Sequence, residues 1–283
     1  MPATVAALIL CHNRPDEVVD AVASLDAGFD EIIVLDNASE PPLVPIPGAR
    51  LIRSDENTGV CGGRNRLLAE CRSDLAVFLD DDAVALGPLS GLVRERFAAD
   101  PTLAVIAFRI TRPDGAVDLE HPFRGKADRV DLARPAAYFV GAGYAVRRAA
   151  VDSVGGYDES LFYSTEEIDL SMKLIRAGST IWYEPSLAVE HRPSTRGRAI
   201  APEVPAMRMR NRLLYARRHL KFPVAVVHGV IWAGHTFPTA RRSGGLRRWG
   251  RAIRDGLRQP VDRRPLTWAQ HRSTHQLGGR VWY

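Results

Sequence analysis

The chain has 283 residues, which is enough to bury a sizeable core and favours one large domain with an appendage over two equal domains. Its 46% hydrophobic and 25% charged residues are typical of a soluble globular protein. Three cysteines without metal-ligand spacing argue against a disulfide framework and indicate a reducing compartment such as the cytoplasm. The net charge of +5 conceals a strong asymmetry between the two parts of the chain.

Strands and helices alternate over roughly the first 190 residues of the chain. Residues 1–4 have no basic region and lead directly into an apolar strand, so no signal peptide is expected. Continuous apolar runs predict buried strands at 5–11, 31–35, 51–52 and 75–79, and helical spacing predicts helices at 16–27 and 63–71. Further strands are predicted at 105–110, 138–146, 180–183 and 187–189, with a helix at 165–177 that Gly178 ends. This alternation predicts an open α/β sheet.

The chain changes character after Pro193. Residues 192–283 carry 20 basic and 3 acidic side chains, a net charge of +17, whereas residues 1–191 have a net charge of −12. An arginine-rich helix is predicted at 207–220, followed by an apolar stretch at 222–237 and a further run of arginines. That stretch of 16 residues is shorter than the ~20 apolar residues of a spanning helix. We expect a catalytic or binding domain at 1–200 and a basic helical segment at 201–283.

Three interpretations of the basic segment stay open. An apolar helix flanked by arginines is typical of a protein that lies on an anionic membrane surface. Alternatively, the helix packs against the first domain, and the arginines form a solvated surface. A basic segment could also meet nucleic acid, in which case binding would depend strongly on salt.

Two acidic clusters carry most of the chemical information. Asp80, Asp81 and Asp82 follow an apolar strand, and the repulsion among adjacent carboxylates is relieved only by water, a cation or protonation. Hard divalent cations choose oxygen ligands and leave positions free for phosphates. The second cluster, Glu166, Glu167 and Asp169, offers a base. Asp36 and the first cluster both follow strands, at the edge of an α/β sheet where ligands bind.

Each motif also has a structural alternative. The first cluster could be a solvated acidic turn, and Asp36 could end its strand in an Asx-type turn. The stretch 57–65, with its glycines before a helix, could approach an anion or be only a tight turn. Ser164 and Glu167 match a helix capping box, and Asp169 with Lys173 matches an i,i+4 ion pair. His191 at a strand end could be a structural histidine.

Together the motifs resemble the family 2 glycosyltransferases with the GT-A fold, and rhamnosyltransferase-like members in particular. The first half contributes Val-Ala-Ala-Leu-Ile-Leu-Cys-His-Asn-Arg, Ile-Val-Leu-Asp-Asn-Ala-Ser, Asn-Thr-Gly-Val-Cys-Gly-Gly-Arg-Asn and Phe-Leu-Asp-Asp-Asp. The second half contributes Phe-Val-Gly-Ala-Gly-Tyr-Ala-Val-Arg-Arg, Gly-Gly-Tyr-Asp-Glu, Glu-Glu-Ile-Asp and Tyr-Glu-Pro, which leads to His191. The resemblance covers residues 4 to about 220, and the order of the motifs makes it specific.

The resemblance implies a bacterial enzyme that uses a UDP or dTDP sugar and a divalent metal, Mn²⁺ or Mg²⁺. It implies inverting transfer of a hexosyl or deoxyhexosyl group to an acceptor hydroxyl by single displacement. The acceptor would be a lipid-linked saccharide, a polysaccharide or a small natural product. The expected location is cytoplasmic, and nucleic acid is not an expected partner. The basic segment would either attach the protein peripherally to the inner face of the membrane or complete the acceptor site.

The resemblance also implies roles for individual residues. Glu167 takes the catalytic-base position of an E-[DE]-x-D motif, where aspartate is the usual residue. Asp82 and His191 would bind the metal, with Asp80 near the metal or the ribose, and Asp36 would contact the base. Gly141 and Gly143 would let the sugar approach, with Glu166 and Asp169 supporting the acceptor. The nucleotide and donor would be bound by His12, Asn13, Arg14, Asp36, Asn37, Asn57, Gly59, Arg64, Asn65, Asp80 and Asp81.

Two rival functions remain at this point. A nucleotidyltransferase of related fold would need a glycine-rich, basic triphosphate loop directly after the first strand, and residues 11–16 do not supply one. A non-catalytic nucleotide-sugar or nucleic-acid binding protein would show salt-dependent binding of RNA or DNA through its basic segment, and Glu167→Gln would change nothing.

Overall fold

The computed structural model describes residues 2–117, 130–193 and 203–279. Within these ranges, nine strands form one mixed sheet with helices packed against it. The strands are β1 (Val5–Cys11), β2 (Glu31–Asn37), β3 (Arg50–Ser54), β4 (Leu75–Asp80), β5 (Ala83–Ala85), β6 (Leu103–Thr111), β7 (Arg134–Pro135), β8 (Gly143–Arg147) and β9 (Thr180–His191). The helices are α1 (Pro15–Ala23), α2 (Gly59–Glu70), α3 (Ser90–Ala99), α4 (Arg148–Ser153), α5 (Glu166–Arg176), α6 (Val204–His219), α7 (Phe222–Arg242), α8 (Leu246–Arg258) and α9 (Trp268–Gln276).

The sheet order is β3-β2-β1-β4-β8-β6-β9-β5, with β7 paired to β9. Strands β1 to β4 run parallel to one another, and β8 enters antiparallel between β4 and β6. In this register Cys11 lies opposite Asp36, and Leu10 lies opposite Asp80. The polar residues that end β1, β2 and β4 therefore meet at one edge of the sheet. The predicted open mixed sheet flanked by helices is confirmed.

Two hydrophobic layers cover the faces of the sheet. Side chains of β1 alternate between them: Ala6 and Leu8 join one layer, whereas Val5, Ile9 and Cys11 join the other. This alternation follows from the strand period of two, and because both faces are covered, β1 is apolar throughout. The three cysteines are buried and free, as the sequence indicated.

Several element boundaries differ from the predictions. Helix α1 ends at Ala23 rather than at residue 27, and Ser24 closes it with its backbone N–H. Predicted strand 138–146 begins only at Gly143, because the preceding residues line a cavity. The two strands predicted at 180–183 and 187–189 are one strand, β9, with an irregular register against β6.

The C-terminal helices pack against the first domain through α6. Tyr215 and Leu220 form a third apolar cluster with Ile168 and Met172 of α5. Beside this cluster, buried Asp169 accepts hydrogen bonds from Arg218 and from His219 Nε2, the latter at 2.8 Å. Helix α6 therefore packs against the first domain, whereas the two interpretations of the apolar stretch 222–237 concern α7. Within the ranges described above, none of the helices has the length and apolar character needed to cross a membrane.

Candidate functional site

A cavity of about 780 Å³ lies beyond the carboxyl ends of β1 and β4. The N-terminus of α5 and residues of α6 and α7 close its other sides. Thirteen of the predicted site residues line it: His12, Arg14, Asn37, Asn57, Gly59, Arg64, Asp80, Asp81, Asp82, Gly141, Glu166, Glu167 and His191. Asn13, Asp36, Asn65, Gly143 and Asp169 lie outside this lining. The fold thus brings both acidic clusters to one space.

Asp80, Asp82 and His191 form a candidate metal site. One ligand atom from each lies within 4.8 Å of the others, and His191 Nε2 is 3.3 Å from Asp82 Oδ1. The pairing of β5 with β9 places His191 opposite Ala83, directly after the aspartates. Carboxylate oxygens are the ligands that Mg²⁺ and Mn²⁺ prefer, and an imidazole is compatible with Mn²⁺. The donor set therefore fits the divalent cation that the sequence implied.

The aspartate cluster is not a solvated turn, because Asp81 and Asp82 are each only 4% exposed. Burial raises the pKa of Asp81 to about 6; Arg14 opposes this rise, and the neighbouring aspartates add to it. Arg14 Nη1 lies 2.5 Å from Asp81 Oδ1 and 3.1 Å from Asp82 Oδ2. Burial and Asp82 also raise the pKa of Asp80, although Arg64 counters them. The cluster carries more carboxylate than the two arginines compensate, which favours a bound cation.

Arg64 of α2 connects the two acidic clusters. Its guanidinium donates to Asp80 Oδ1 and Glu167 Oε1, each at 3.3 Å, and to the Gly141 carbonyl at 3.2 Å. The Arg64 side chain is 4% exposed and also lies against two tyrosine rings. A side chain at Gly141 would collide with this network, since an added Cβ would lie 2.4 Å from Glu167 Oε1. Gly141 therefore makes room for Glu167, and Arg64 holds that carboxylate.

Glu167 reaches the cavity from a strained turn. Phe162, Ser164 and Thr165 all have positive φ, a conformation that costs non-glycine residues about 1–3 kcal/mol each and that clusters at active sites. Thr165 is the N-cap of α5 without a side-chain capping bond, so the proposed capping box does not form. Glu167 keeps 19% of its side chain exposed toward the cavity.

Glu166 differs from its neighbour. Its side chain is 5% exposed and lies 3.8 Å from Arg64. Burial, and then the charge of Glu167, raise the pKa of Glu166 well above its usual range, and Arg64 offsets only part of this rise. Glu166 therefore retains its proton more readily than an ordinary glutamate does, and its buried side chain is less accessible to an acceptor than that of Glu167.

Asn211 of α6, which the sequence analysis missed, holds the turn before Glu167. Its buried side-chain amide donates to the carbonyls of Leu161 at 2.8 Å, Tyr163 at 2.9 Å and Ser164 at 2.8 Å. A buried asparagine that satisfies three carbonyls fixes their backbone strongly. The only sequence signal was an uncharged amide within an arginine-rich helix.

Asp36 stabilises the loop that follows β2. Its carboxylate accepts from the backbone N–H groups of Ser39 at 2.8 Å and Leu43 at 3.1 Å, and it pairs with Arg53. Asn13 extends the same loop by accepting from the Glu40 N–H at 2.7 Å. Asp36 thus has the structural role that was one of the two sequence alternatives, although its carboxylate bonds the backbone three residues on rather than two, as an Asx-turn would. Contact between Asp36 and a base stays a prediction.

Three other predicted residues also have structural partners. Asn65 donates to the Tyr157 carbonyl at 3.0 Å and accepts from the Tyr157 N–H, which ties α2 to the segment before α5. Gly143 lies within β8, where an added Cβ would meet Val189 at 2.7 Å. Asp169 forms the predicted i,i+4 pair with Lys173 at 3.3 Å and joins α5 to α6. Their contact with a ligand stays untested.

The C-terminal helices supply a further wall of the cavity. Met207, Arg208 and Arg212 of α6 and Trp232 of α7 line it opposite the aspartates. The Arg212 guanidinium lies 3.9 Å from the centre of the Trp232 ring. A second cavity of about 440 Å³ between α6 and α7 shares Arg208 and Trp232 with the first. The basic segment therefore forms part of the site.

Known proteins share the sequence and fold of this chain. A pre-mycofactocin glycosyltransferase of Mycobacterium tuberculosis is 31% identical over 180 residues, which are 56% of this chain and 37% of that protein. An N-acetylglucosaminyl-diphospho-decaprenol L-rhamnosyltransferase of the same species is 36% identical over 87 residues, which are 30% of this chain and 28% of that protein. This chain spans about a third of the length of either relative.

Solved structures of low sequence identity share the GT-A fold. GalNAc-T7 with UDP, GalNAc and Mn²⁺ superposes with a TM-score of 0.63 at 12% identity, covering 91% of this chain and 56% of that chain. The mannosyltransferase PcManGT of Pyrobaculum calidifontis, with GDP-Man and Mn²⁺, gives a TM-score of 0.57 at 15% identity, covering 98% and 84%. The model of glycosyl transferase family 2 matches residues 7–155, more than half of the sequence. The chain therefore belongs to glycosyl transferase family 2.

Proposed function

We propose that the protein is a metal-dependent inverting glycosyltransferase that moves a hexosyl or deoxyhexosyl group from a UDP or dTDP sugar to an acceptor hydroxyl. One observation carries the proposal: the Asp80, Asp82 and His191 cluster and the Glu167 carboxylate open into one cavity, and Arg64 connects them. A leaving diphosphate needs positive charge, which a cation held by the Asp80, Asp82 and His191 cluster would supply. An attacking hydroxyl needs a base, and Glu167 is placed to serve as one.

Asp80, Asp82 and His191 are the residues that would hold a divalent cation. When bound there, Mn²⁺ or Mg²⁺ supplies positive charge to the departing diphosphate. Mn²⁺ is the stronger candidate because one of the three ligands is an imidazole. The presence of Mn²⁺ in GalNAc-T7 and PcManGT is consistent with this choice.

Glu167 is the proposed base. The acceptor oxygen forms a bond to the anomeric carbon as the bond from that carbon to the diphosphate breaks, and the bond electrons leave with the diphosphate. The hydroxyl proton passes to the Glu167 carboxylate, which must lie within hydrogen-bond reach of the acceptor. Because the acceptor attacks opposite the leaving group in one displacement, the anomeric configuration inverts. Arg64 donates a hydrogen bond to Glu167 Oε1 at 3.3 Å and thereby orients the carboxylate for this transfer.

The nucleotide would occupy the side of the cavity formed by the ends of β1 and β2. His12, Asn37, Asn57 and Gly59 line this side, and they are connected to one another. His12 Nδ1 lies 2.9 Å from the Asn37 carbonyl, and Asn37 Nδ2 donates to Asn57 Oδ1 at 3.0 Å. Such a connected polar wall can present fixed donors and acceptors to a nucleotide.

The acceptor would enter from the side of α6 and α7. A lipid-linked saccharide is the acceptor we favour, over a polysaccharide or a small natural product, because one relative is named for transfer to a diphospho-decaprenol acceptor. The protein would then work at the cytoplasmic face of a membrane as a peripheral protein. A non-catalytic binding protein is disfavoured, because such a protein has no need for the strained turn that presents Glu167.

Calorimetric titration of UDP, dTDP and GDP, each with and without Mn²⁺, tests the donor and metal parts of the proposal. We expect Mn²⁺-dependent binding of UDP or dTDP by the native protein, and loss of the metal dependence in Asp82→Ala. Val44→Ala, a change of an exposed side chain in the loop after β2, serves as control. Equal nucleotide binding with and without Mn²⁺ would contradict the metal site.

A further inference from the structure

The outer face of α7 is apolar and exposed. Phe222 is 73% exposed, Val226 51%, Val230 68% and Phe237 42%, and their spacing puts them on one face of the helix. Residues 222–240 contain no charged side chain. The opposite face is occupied, since His228 and Thr236 are buried against α6 and its neighbours. Contiguous exposed apolar surface of this kind marks an interaction site.

Positive charge follows the apolar face along the chain. Arg241 and Arg242 end α7, and Arg247 and Arg251 follow on the exposed side of α8. None of these four arginines has an acidic partner within the part of the chain that the structure describes. Leu246 and Leu257 of α8 are also exposed, at 41% and 54%, so apolar and basic side chains alternate along α8.

We propose that the apolar face of α7, together with the arginines of α8, is a docking surface for an anionic phospholipid bilayer. Helix α7 is too polar to span a membrane but can lie in the interface, with its apolar side chains among the acyl chains and the arginines at lipid phosphates. Two copies of this chain would bring like charges together if they paired through this surface. Nucleic acid would leave the valines and phenylalanines exposed to water.

The docking surface lies on the other side of the same helix from the cavities. Trp232, His235 and Thr239 line the second cavity, which joins the first at Arg208 and Trp232. A helix is about 10 Å thick, so a molecule held in the bilayer would be presented within about one helix diameter of the entrance. This step rests on the proposed function, whereas the docking itself can be tested without it.

Co-sedimentation with vesicles tests the docking surface. We expect the full chain to sediment with vesicles of equal parts phosphatidylglycerol and phosphatidylcholine but not with pure phosphatidylcholine, and binding should weaken with added salt. Val230→Asp should bind the anionic vesicles at least about tenfold more weakly, because it places a carboxylate in the apolar face. The matched control is Val44→Asp, at a valine 73% exposed on another part of the surface, and it should bind as the native chain does.

Three results would overturn the inference. They are failure of the native chain to bind anionic vesicles, equal binding by Val230→Asp, and light scattering that shows a dimer which Val230→Asp dissociates. UDP and dTDP titration of the same preparations separates the two proposals. Vesicle binding without nucleotide binding would leave the docking surface intact and contradict the proposed function. Nucleotide binding without vesicle binding would contradict the docking surface and leave the proposed function intact.

Discussion

One buried guanidinium connects the two acidic groups of the cavity. Arg64 contacts Asp80 from β4 and Glu167 from α5. Removal of one partner from a buried ion pair leaves the other charge uncompensated, which costs more than the pair itself contributes. Arg64 therefore matters both for stability and for the position of Glu167.

Replacement of Arg64 by methionine should lower the free energy of unfolding by about 3 kcal/mol. We take the lower part of the usual range because Asp80 and Glu167 are partly exposed. Arg64→Lys should recover part of the stability. It should not restore the simultaneous contact with Asp80 and Glu167, because an ammonium lacks the planar, forked donors of a guanidinium. Urea unfolding of the three proteins measures this, and a loss below about 1 kcal/mol in Arg64→Met would be too small for the role given to Arg64.

Asp169 is buried and anionic, and it joins two helices. Burial would raise its pKa, but the hydrogen bond and charge of His219, with Lys173 and Arg218, lower the pKa well below the usual value. A carboxylate whose pKa is lowered in the folded state contributes stability above its unfolded pKa of about 3.9 and loses it as pH falls toward the native pKa. The loss of free energy of unfolding at acid pH should therefore depend on Asp169.

Asp169→Asn should lower stability at pH 7 by about 3 kcal/mol and should flatten the decline in stability below about pH 4. The measurement is the urea midpoint of unfolding, determined from about pH 2.5 to about pH 7. Asp255→Asn is the control, because its exposed pair with Arg254 should contribute little. An unchanged loss of stability at acid pH in Asp169→Asn would contradict the assignment.

Helix α6 positions the turn that carries the proposed base. Asn211 donates to three carbonyls of that turn, and Arg210 donates to the carbonyl of Ser160 just before it. A displacement of the base by about 1 Å can cost about a hundredfold in rate. The C-terminal segment therefore acts on the chemistry through the backbone of α5.

Asn211→Ala should reduce kcat by at least about tenfold while the Kd for the nucleotide diphosphate stays near that of the native protein. Among the residues that the structure describes, the hydrogen bonds of Asn211 go to the turn before Glu167 and to Arg210, and none goes to the donor side of the cavity. Steady-state kinetics and calorimetry separate the two effects. Arg210→Ala, which removes a neighbouring hydrogen bond to the same segment, should have a smaller effect on kcat. A parallel loss of nucleotide affinity in Asn211→Ala would contradict the positioning role and indicate general unfolding instead.

The strands and the acidic clusters could be predicted from the sequence, because both depend on local patterns. The apolar runs of β1, β2 and β4 specify buried parallel strands, and polar residues at their ends must meet at one edge. The hydrogen bonds from Arg64 to Glu167 and from Asn211 to the turn before α5 could not be predicted. Each joins residues that are about 50 to 100 positions apart in the sequence. The difference between Glu166 and Glu167 likewise depends on burial that neighbours in sequence do not reveal.

The whole chain is expected to unfold as one unit. Although the sequence suggested a boundary near residue 200, Tyr215 and Leu220 share an apolar cluster with α5, and α6 lines the cavity. Domains that share a buried cluster unfold cooperatively. Calorimetric and van't Hoff enthalpies should therefore agree in a thermal scan, and two separated transitions would show that the helical segment is an independent domain.

The central claim is that Glu167 removes the acceptor proton in this cavity. Glu167→Gln keeps the shape of the side chain and its contact with Arg64 but cannot accept the proton. Glu166→Gln is a matched control at the neighbouring position, because the raised pKa of Glu166 already favours the protonated form that glutamine imitates.

The most direct measurement is the turnover of both variants, with the Kd of the donor nucleotide determined in parallel. We predict that Glu167→Gln loses about two to four orders of magnitude in kcat with its nucleotide affinity retained, whereas Glu166→Gln stays close to the native rate. Near-native turnover in Glu167→Gln, or a greater loss in Glu166→Gln, would contradict the account.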